Sequence, residues 1–273
     1  MAALLLRTRP AATITVAALH KPAEVRGMIH SAAGGASSRL AKAVLLDLDG
    51  TLLDTAPDLI GSLNDLRREH GLTTLAPEPL RPIVAQGGAA MIRHGFALSR
   101  DEPGFASLLQ RYLDIYRARL SCQTRPFPGI DELLAEIEAR NLRWGIVTNK
   151  PSWLTRPLLK QLGYLRRAAC VVTGDCRALH KPNPHPIFTA CRQLALTPPE
   201  CVMVGDAPQD IAAARRAGTP ALAALFGYLE PNAQVADWGA DGLIEHPLEI
   251  LSWLAPALGP SSQSSPPGIQ TTL

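Results

Sequence analysis

The chain has no apolar run approaching the roughly 18 residues that a membrane-spanning helix needs, so no span is expected. It lacks a CxxC pair. Its five cysteines, Cys122, Cys170, Cys176, Cys191 and Cys201, are odd in number, and Cys170, Cys191 and Cys201 fall in apolar or helical contexts. That usage reads as reduced thiols of a cytoplasmic protein. An excess of one charge sign is also missing. The formal net charge is +3, too mild to argue for nucleic acid, and part of it sits in the N-terminal stretch. No internal repeat is apparent. His180 and His185 flank a lysine but have no partners at metal-ligand spacing.

What remains is a globular composition: 273 residues, 47% apolar and 19% charged, enough for one large domain or two modest ones. Residues 1–40 carry Arg7, Arg9, Lys21, Arg26 and Arg39 against the single acid Glu24. We expect a flexible tail there, or an over-extended start with Met28 as initiator; an organellar transit peptide is the sharper alternative. Residues 258–273 have the Pro/Ser bias of a disordered tail.

Between these ends, strand and helix signals alternate. "AVLLDLD" reads as a buried strand. "TAPDLIGSLNDLRREHG" opens with a capping-box pattern, Thr55 to Asp58, carries the stripe Leu59, Ile60, Leu63 and Leu66, and stops at Gly71. Further on, "IDELLAEIEARN", a segment from Ser152 to Gly163, "NPHPIFTACRQLAL" and "PQDIAAARRAG" read as helices. They alternate with the strands "RWGIVTN", "CVVTG", "CVMVGD" and "ALAAL". That rhythm predicts an α/β fold with a parallel sheet covered by helices. Residues 57–127 break it with helix upon helix, too long for an ordinary crossover. We expect a helical cap over 57–127, inserted into a core made of 41–56 and 128–257.

Ligands of open parallel sheets bind beyond the carboxyl ends of the strands. Those ends carry Asp47 and Asp49, Thr148 and Asn149, and Asp206 with Asp210 four residues on, while Lys181 begins "KPNP" just before a helix. Asp47 and Asp49 lie two apart, so in an extended chain both face one side, where ionising both is costly. A divalent cation repays that cost, and the set suits phosphoryl transfer. Asp47 is the expected nucleophile, forming an aspartyl phosphate, and Asp49 the acid and then base. Mg²⁺ takes Asp47, the Asp49 backbone carbonyl and Asp206 as ligands. Thr148 donates to a phosphoryl oxygen and Lys181 neutralises another, with Asp210 behind, holding Lys181 or a water on the metal.

"DLDGTLLDT", "VTNKP", "HKPNP" and "VGDAPQD", in this order, resemble the four motifs of the haloacid dehalogenase superfamily, across roughly Lys42 to the mid-250s. The resemblance implies a Rossmann-like core. A helical insertion between the first two motifs is similar to the branch with an α-helical cap, which includes the phosphoglycolate phosphatases. "QGGAAMIRHGFAL", "WGIVTNKP" and "WGADGLIEHPLEI" resemble bacterial N-acetylmuramic acid 6-phosphate phosphatases. It implies a small phosphorylated metabolite as substrate, with no nucleic-acid or membrane partner, and a monomer or homodimer.

Several residues have two readings. Asp54 and Asp58 read as loop and capping residues. Gly87 and Gly88 form either a helix–helix turn or a place where cap backbone approaches the substrate. Arg93 and His94 read as solvated helix positions, although Arg93 is also the cation available to a substrate carboxylate. Lys150 is either a surface lysine or a group facing the cap and substrate. A dehalogenase would need neither Asp49 nor a metal. A phosphosugar mutase, or a catalytically silent interaction protein on the same fold, remains open at this point.

Overall fold

The computed structural model describes residues 40–256. The expected tails at 1–40 and 258–273 lie outside the described residues, apart from Leu40. In chain order the elements are β1 (Ala43–Leu46), β2 (Leu53–Asp54), α1 (Ala56–Glu69), α2 (Arg81–Val84), α3 (Gly88–Phe96), α4 (Phe105–Ala118) and β3 (Arg125–Pro126). Then come α5 (Ile130–Ala139), β4 (Arg143–Val147), α6 (Ser152–Gln161), β5 (Cys170–Val172), α7 (His185–Gln193), β6 (Cys201–Gly205), α8 (Pro208–Ala217), β7 (Ala221–Ala224) and β8 (Gly242–Ile244).

Six strands form one sheet in the order β5-β4-β1-β6-β7-β8, every neighbouring pair parallel. From the central β1 the chain first builds outward through β4 and β5, then returns to the other side with β6, β7 and β8. The order therefore reverses between β1 and β6. At such a reversal the flanking connections leave in opposite directions and open a crevice at the carboxyl ends. Asp47 follows β1 directly and Asp206 follows β6.

The strands alternate as the pleat demands. Val44 and Leu46 of β1, with Val202 and Val204 of β6, pack among the side chains of α5 and α6. Ala43 and Leu45, with Cys201 and Met203, pack against α7 and α8. All eight are fully buried. Burying a Val, Leu or Met side chain contributes about 1.5–3 kcal/mol each.

Between β2 and β3 the main elements are the helices α1 to α4. Leu59, Ile60, Leu63 and Leu66 of α1 are buried in one apolar cluster with Met91 and Ile92 of α3 and Tyr112 and Tyr116 of α4. Gly71 has φ +69 just beyond the end of α1. The capping box does not form. Thr55 makes no side-chain cap bond; its hydroxyl donates instead to Asp49 Oδ1 at 2.6 Å. The Asp58 carboxylate turns to the other end of the insertion and accepts from Gln123 N–H, Thr124 N–H and the Thr124 hydroxyl at 2.8–3.0 Å. Burial explains the change, because a fully buried carboxylate gains more from the donors of the returning segment before β3 than from its own helix end. The two connecting segments then pair as β2 and β3, antiparallel, Leu53 opposite Pro126 and Asp54 opposite Arg125. Neither that pair nor β8 carries a pattern long enough to be read in advance.

Candidate active site

The turn after β1 places both aspartates. The Leu52 and Leu53 N–H groups donate back to the Asp47 and Leu48 carbonyls, so the chain coils tightly instead of continuing as a strand. Gly50 makes this possible: its φ is +90, and a Cβ there would collide with the Asp206 carboxylate. Asp47 and Asp49 both line a cavity of about 580 Å³ between the strand ends and the helical insertion.

Lys181 anchors the first carboxylate. Its Nζ lies 2.8 Å from Asp47 Oδ1 and 2.7 Å from Asp210 Oδ1, and donates to the Val147 carbonyl at 2.7 Å. Three acceptors thus surround a fully buried ammonium. Asp47 Oδ1 and Asp210 Oδ1 have no partner besides it. Burial pulls the Lys181 pKa down, but the Asp210 and Asp47 charges more than offset this and hold it above its ordinary value. Asp210 is buried away from the cavity, with Oδ2 accepting from Ala207 N–H. Its place is behind Lys181.

Asn149 lines the cavity, and its side-chain amide is bonded to the Lys181 backbone. Its Nδ2 donates to the Lys181 carbonyl at 3.0 Å and its Oδ1 accepts from the Lys181 N–H at 2.8 Å. The amide therefore fixes the backbone of the lysine. Thr148 is buried at the cavity wall, its hydroxyl oxygen accepting from Lys150 N–H at 3.1 Å.

Asp206 is gripped from two directions. Oδ1 accepts from the Thr51 hydroxyl at 2.9 Å and Oδ2 from the Tyr228 N–H at 2.8 Å. The Tyr228 hydroxyl in turn donates to Asp54 Oδ1 at 2.8 Å and accepts from Ala56 N–H at 2.8 Å. One residue thus ties Asp206 to the entrance of α1. Asp54 also pairs with Arg81 at 3.0 Å, so it braces the insertion where a plain loop residue was expected.

Carboxylate oxygens of Asp47, Asp206 and Asp210 lie within 4.8 Å of one another. Burial, with a contribution from the Asp210 charge against the opposing pull of Lys181, pushes the Asp47 carboxyl up to about 7. Burial and the Asp47 and Asp210 charges push Asp206 up to about 8. Asp47 and Asp210 share the Lys181 ammonium, Asp206 has no cation beside it among the described residues, and the donors are all hard oxygens. The residues present therefore fit a small divalent cation.

Lys150 is no surface lysine. Its side chain is 6% exposed, and Nζ contacts Asp49 Oδ1 at 2.8 Å, Asp49 Oδ2 at 3.2 Å and the Tyr116 hydroxyl at 2.8 Å. Gly87 and Gly88 line the cavity, and Gly87 has φ +82 at the start of α3, a conformation that favours glycine. Arg93 is exposed on α3 and is not brought to the cavity; Arg100, in the loop after α3, and Arg177, after β5, line it instead. His180 also lines it, with Nε2 at 2.9 Å from the Gly174 carbonyl. Sequence reasoning missed Tyr112, Tyr116 and Tyr228. A signal existed for the first two, since hydroxyl-bearing aromatics four apart share a helix face.

Residues 44–224 match the family model of haloacid dehalogenase-like hydrolases. The chain belongs to that family. It is 42% identical over 217 residues to an N-acetylmuramic acid 6-phosphate phosphatase of Pseudomonas aeruginosa, covering 80% of this chain and 96% of that one. It is 41% identical over 212 residues to a phosphoglycolate phosphatase of Xanthomonas campestris pv. campestris, covering 78% and 96%. Among solved structures it is similar to a predicted phosphoglycolate phosphatase from Haemophilus somnus 129pt, with a TM-score of 0.69, 25% identity and coverage of 78% and 97%. The chain is thus a phosphatase-class hydrolase of this family, with an α/β fold. Among the described residues, no helix is long and apolar enough to cross a membrane, and all five cysteines are free.

Proposed function

We propose that the protein is a Mg²⁺-dependent phosphomonoesterase that works through an aspartyl phosphate on Asp47. The observation that carries this is the position of Asp47: at the cavity wall, 2.8 Å from the Lys181 ammonium and beside Asp49. A phosphate monoester dianion repels nucleophiles, so catalysis is chiefly positioning and charge neutralisation. Lys181 and the Thr148 hydroxyl take phosphoryl oxygens. An Asp47 oxygen bonds to phosphorus as the ester P–O bond breaks, and the Asp49 carboxyl gives its proton to the leaving oxygen. In the second half, Asp49 accepts a proton from water as the water oxygen bonds to phosphorus and frees Asp47. Asp47, Asp206 and the Asp49 carbonyl would hold Mg²⁺, which neutralises charge on the phosphoryl group. Asp210 and Asn149 keep Lys181 in place.

The favoured substrate is N-acetylmuramic acid 6-phosphate. Two things support it: the 42% identical relative so named, and a cavity of about 580 Å³, which accommodates an amino sugar and leaves a two-carbon acid with much empty space. Arg100 and Arg177 supply cations for the carboxylate. Phosphoglycolate, the name of the 41% identical relative's substrate, is the second reading. We take 41–56 with 128–257 as the catalytic core and 57–127 as the cap, and place the enzyme in the cytoplasm as a monomer or homodimer. The test is kcat/KM for N-acetylmuramic acid 6-phosphate, 2-phosphoglycolate and an uncharged hexose 6-phosphate, with Mg²⁺ and after chelation. The amino-sugar acid should be preferred and chelation should abolish turnover. A preference for the uncharged sugar would overturn the carboxylate reading, and one for phosphoglycolate would establish the second.

A further inference from the structure

Asp49 must hold one orientation to deliver a proton to an ester oxygen, yet a carboxylate on a short turn has two soft side-chain torsions. Something has to fix it. Two groups reach it: the Thr55 hydroxyl, at 2.6 Å from Oδ1, and the Lys150 ammonium, which spans both oxygens at 2.8 and 3.2 Å. Lysine is a poor clamp unless it is itself held, since its four-carbon stem has large rotamer freedom. Here it is held. The side chain is 6% exposed, Nζ lies 2.8 Å from the Tyr116 hydroxyl, and the same Nζ sits 4.6 Å from the centroid of the Tyr116 ring. Tyr116 is fully buried in α4, so its hydroxyl is a fixed point. The Lys150 carbonyl and N–H are occupied too, by the Thr155 hydroxyl and the Thr148 oxygen.

We propose that Lys150, seated by Tyr116, is the positioning residue that orients the Asp49 carboxyl group for proton transfer. This rests on the reading of Asp49 as the acid and base. An ammonium present only to balance charge would need no hydroxyl and ring from the insertion; two further contacts on one Nζ fix its direction as well as its sign. The pair acts through Asp49. Its loss should therefore slow the reaction in proportion to how much protonation the leaving group requires.

The experiment uses two aryl phosphates without a second anionic group, phenyl phosphate and 4-nitrophenyl phosphate, with the full-length Mg²⁺-loaded enzyme at saturating substrate. Nitrophenolate departs readily without a proton, whereas phenolate needs one. Rapid-quench measurement gives the rate of phosphoenzyme formation for each, in the parent, Lys150→Met, Tyr116→Phe and Asp49→Asn. Tyr116→Phe keeps the buried ring, so it stays informative if Lys150→Met folds poorly. General-acid assistance is worth about 10²–10⁴-fold. Asp49→Asn should lose that factor with phenyl phosphate and little with the nitro compound. Lys150→Met and Tyr116→Phe should follow the same selective pattern, roughly tenfold or more and roughly threefold or more, as part of that assistance. If Asp49→Asn is selective while the other two slow both substrates equally, or neither, the positioning role is wrong and the acid assignment stands. If Asp49→Asn is itself not selective, the acid assignment fails, and the positioning role with it.

Discussion

Asp58 and Thr124 stand at opposite ends of the helical insertion and are joined twice, Asp58 Oδ2 accepting from the Thr124 N–H at 2.9 Å and from its hydroxyl at 2.8 Å. With Gln123 N–H on the same carboxylate, this buried group closes the insertion on itself beside the β2–β3 pair. Asp58→Ala leaves the two buried Thr124 donors without a partner, a loss of about 2–4 kcal/mol. For a domain of this size the melting temperature should drop by roughly 5–15 °C. A shift under about 2 °C would mean the linkers are held by other contacts.

Two arginines near the end of α3, Arg93 and Arg100, should behave differently. Arg100 lines the cavity and Arg93 does not. Arg100→Ala should raise KM for the acidic substrate by roughly three- to tenfold, as expected for a charge-assisted contact at a partly solvated rim, while Arg93→Ala stays within about twofold. Steady-state kinetics with a carboxylate-bearing and an uncharged phosphate ester check this. Equal effects of the two variants would remove the basis for an acidic substrate.

Stability of the metal-free enzyme should depend on pH through Asp47 and Asp206. Their carboxyls are raised in the folded chain to about 7 and about 8, against about 3.9 for an unperturbed aspartate. Below about pH 4 both states are protonated and these groups contribute nothing. As pH rises from there, the unfolded chain ionises first, so folded stability falls through the window up to about 7–8 and levels off above it. Lys181, already charged in both states there, adds no slope. Thermal melts in chelator from pH 5 to 8 should show the fall in the parent and a shallower one in Asp206→Asn. Added Mg²⁺ should raise the parent's melting temperature more at pH 8 than at pH 5. Parallel curves for parent and variant would contradict the assignment.

Much of this was legible in the chain. Long periodic segments such as α1 and α5 declare themselves, because a buried stripe needs only local spacing. The polar residues at strand ends stand out because burial makes each costly unless used. What escaped depends on distant partners. Asp58 looks like a first-turn acid until the returning segment at Gln123–Thr124 is seen. Lys150 reads as surface or site with equal ease until Tyr116 and Asp49 enclose it. Asn149 sits on a strand end among ligand-facing groups, and only the loop bearing Lys181 explains where its amide is used. Arg93 and Arg100 are chemically alike in sequence, and helix phase with a left-handed Ala97 at the end of α3 separates them. Gly242–Ile244 is too short for its alternation to register.

The central claim is that Asp47 carries the phosphoryl group. The most direct measurement is acid quench of Asp49→Asn enzyme mixed with 4-nitrophenyl phosphate and Mg²⁺, followed by peptide mass spectrometry. In that variant the second half-reaction lacks its base, so the intermediate should accumulate. The account predicts close to one phosphoryl group per chain, on the peptide containing Asp47, and none when Asp47→Asn is added. A chain that turns over 4-nitrophenyl phosphate without acquiring a phosphoryl group, or that carries it on any other residue, would contradict it.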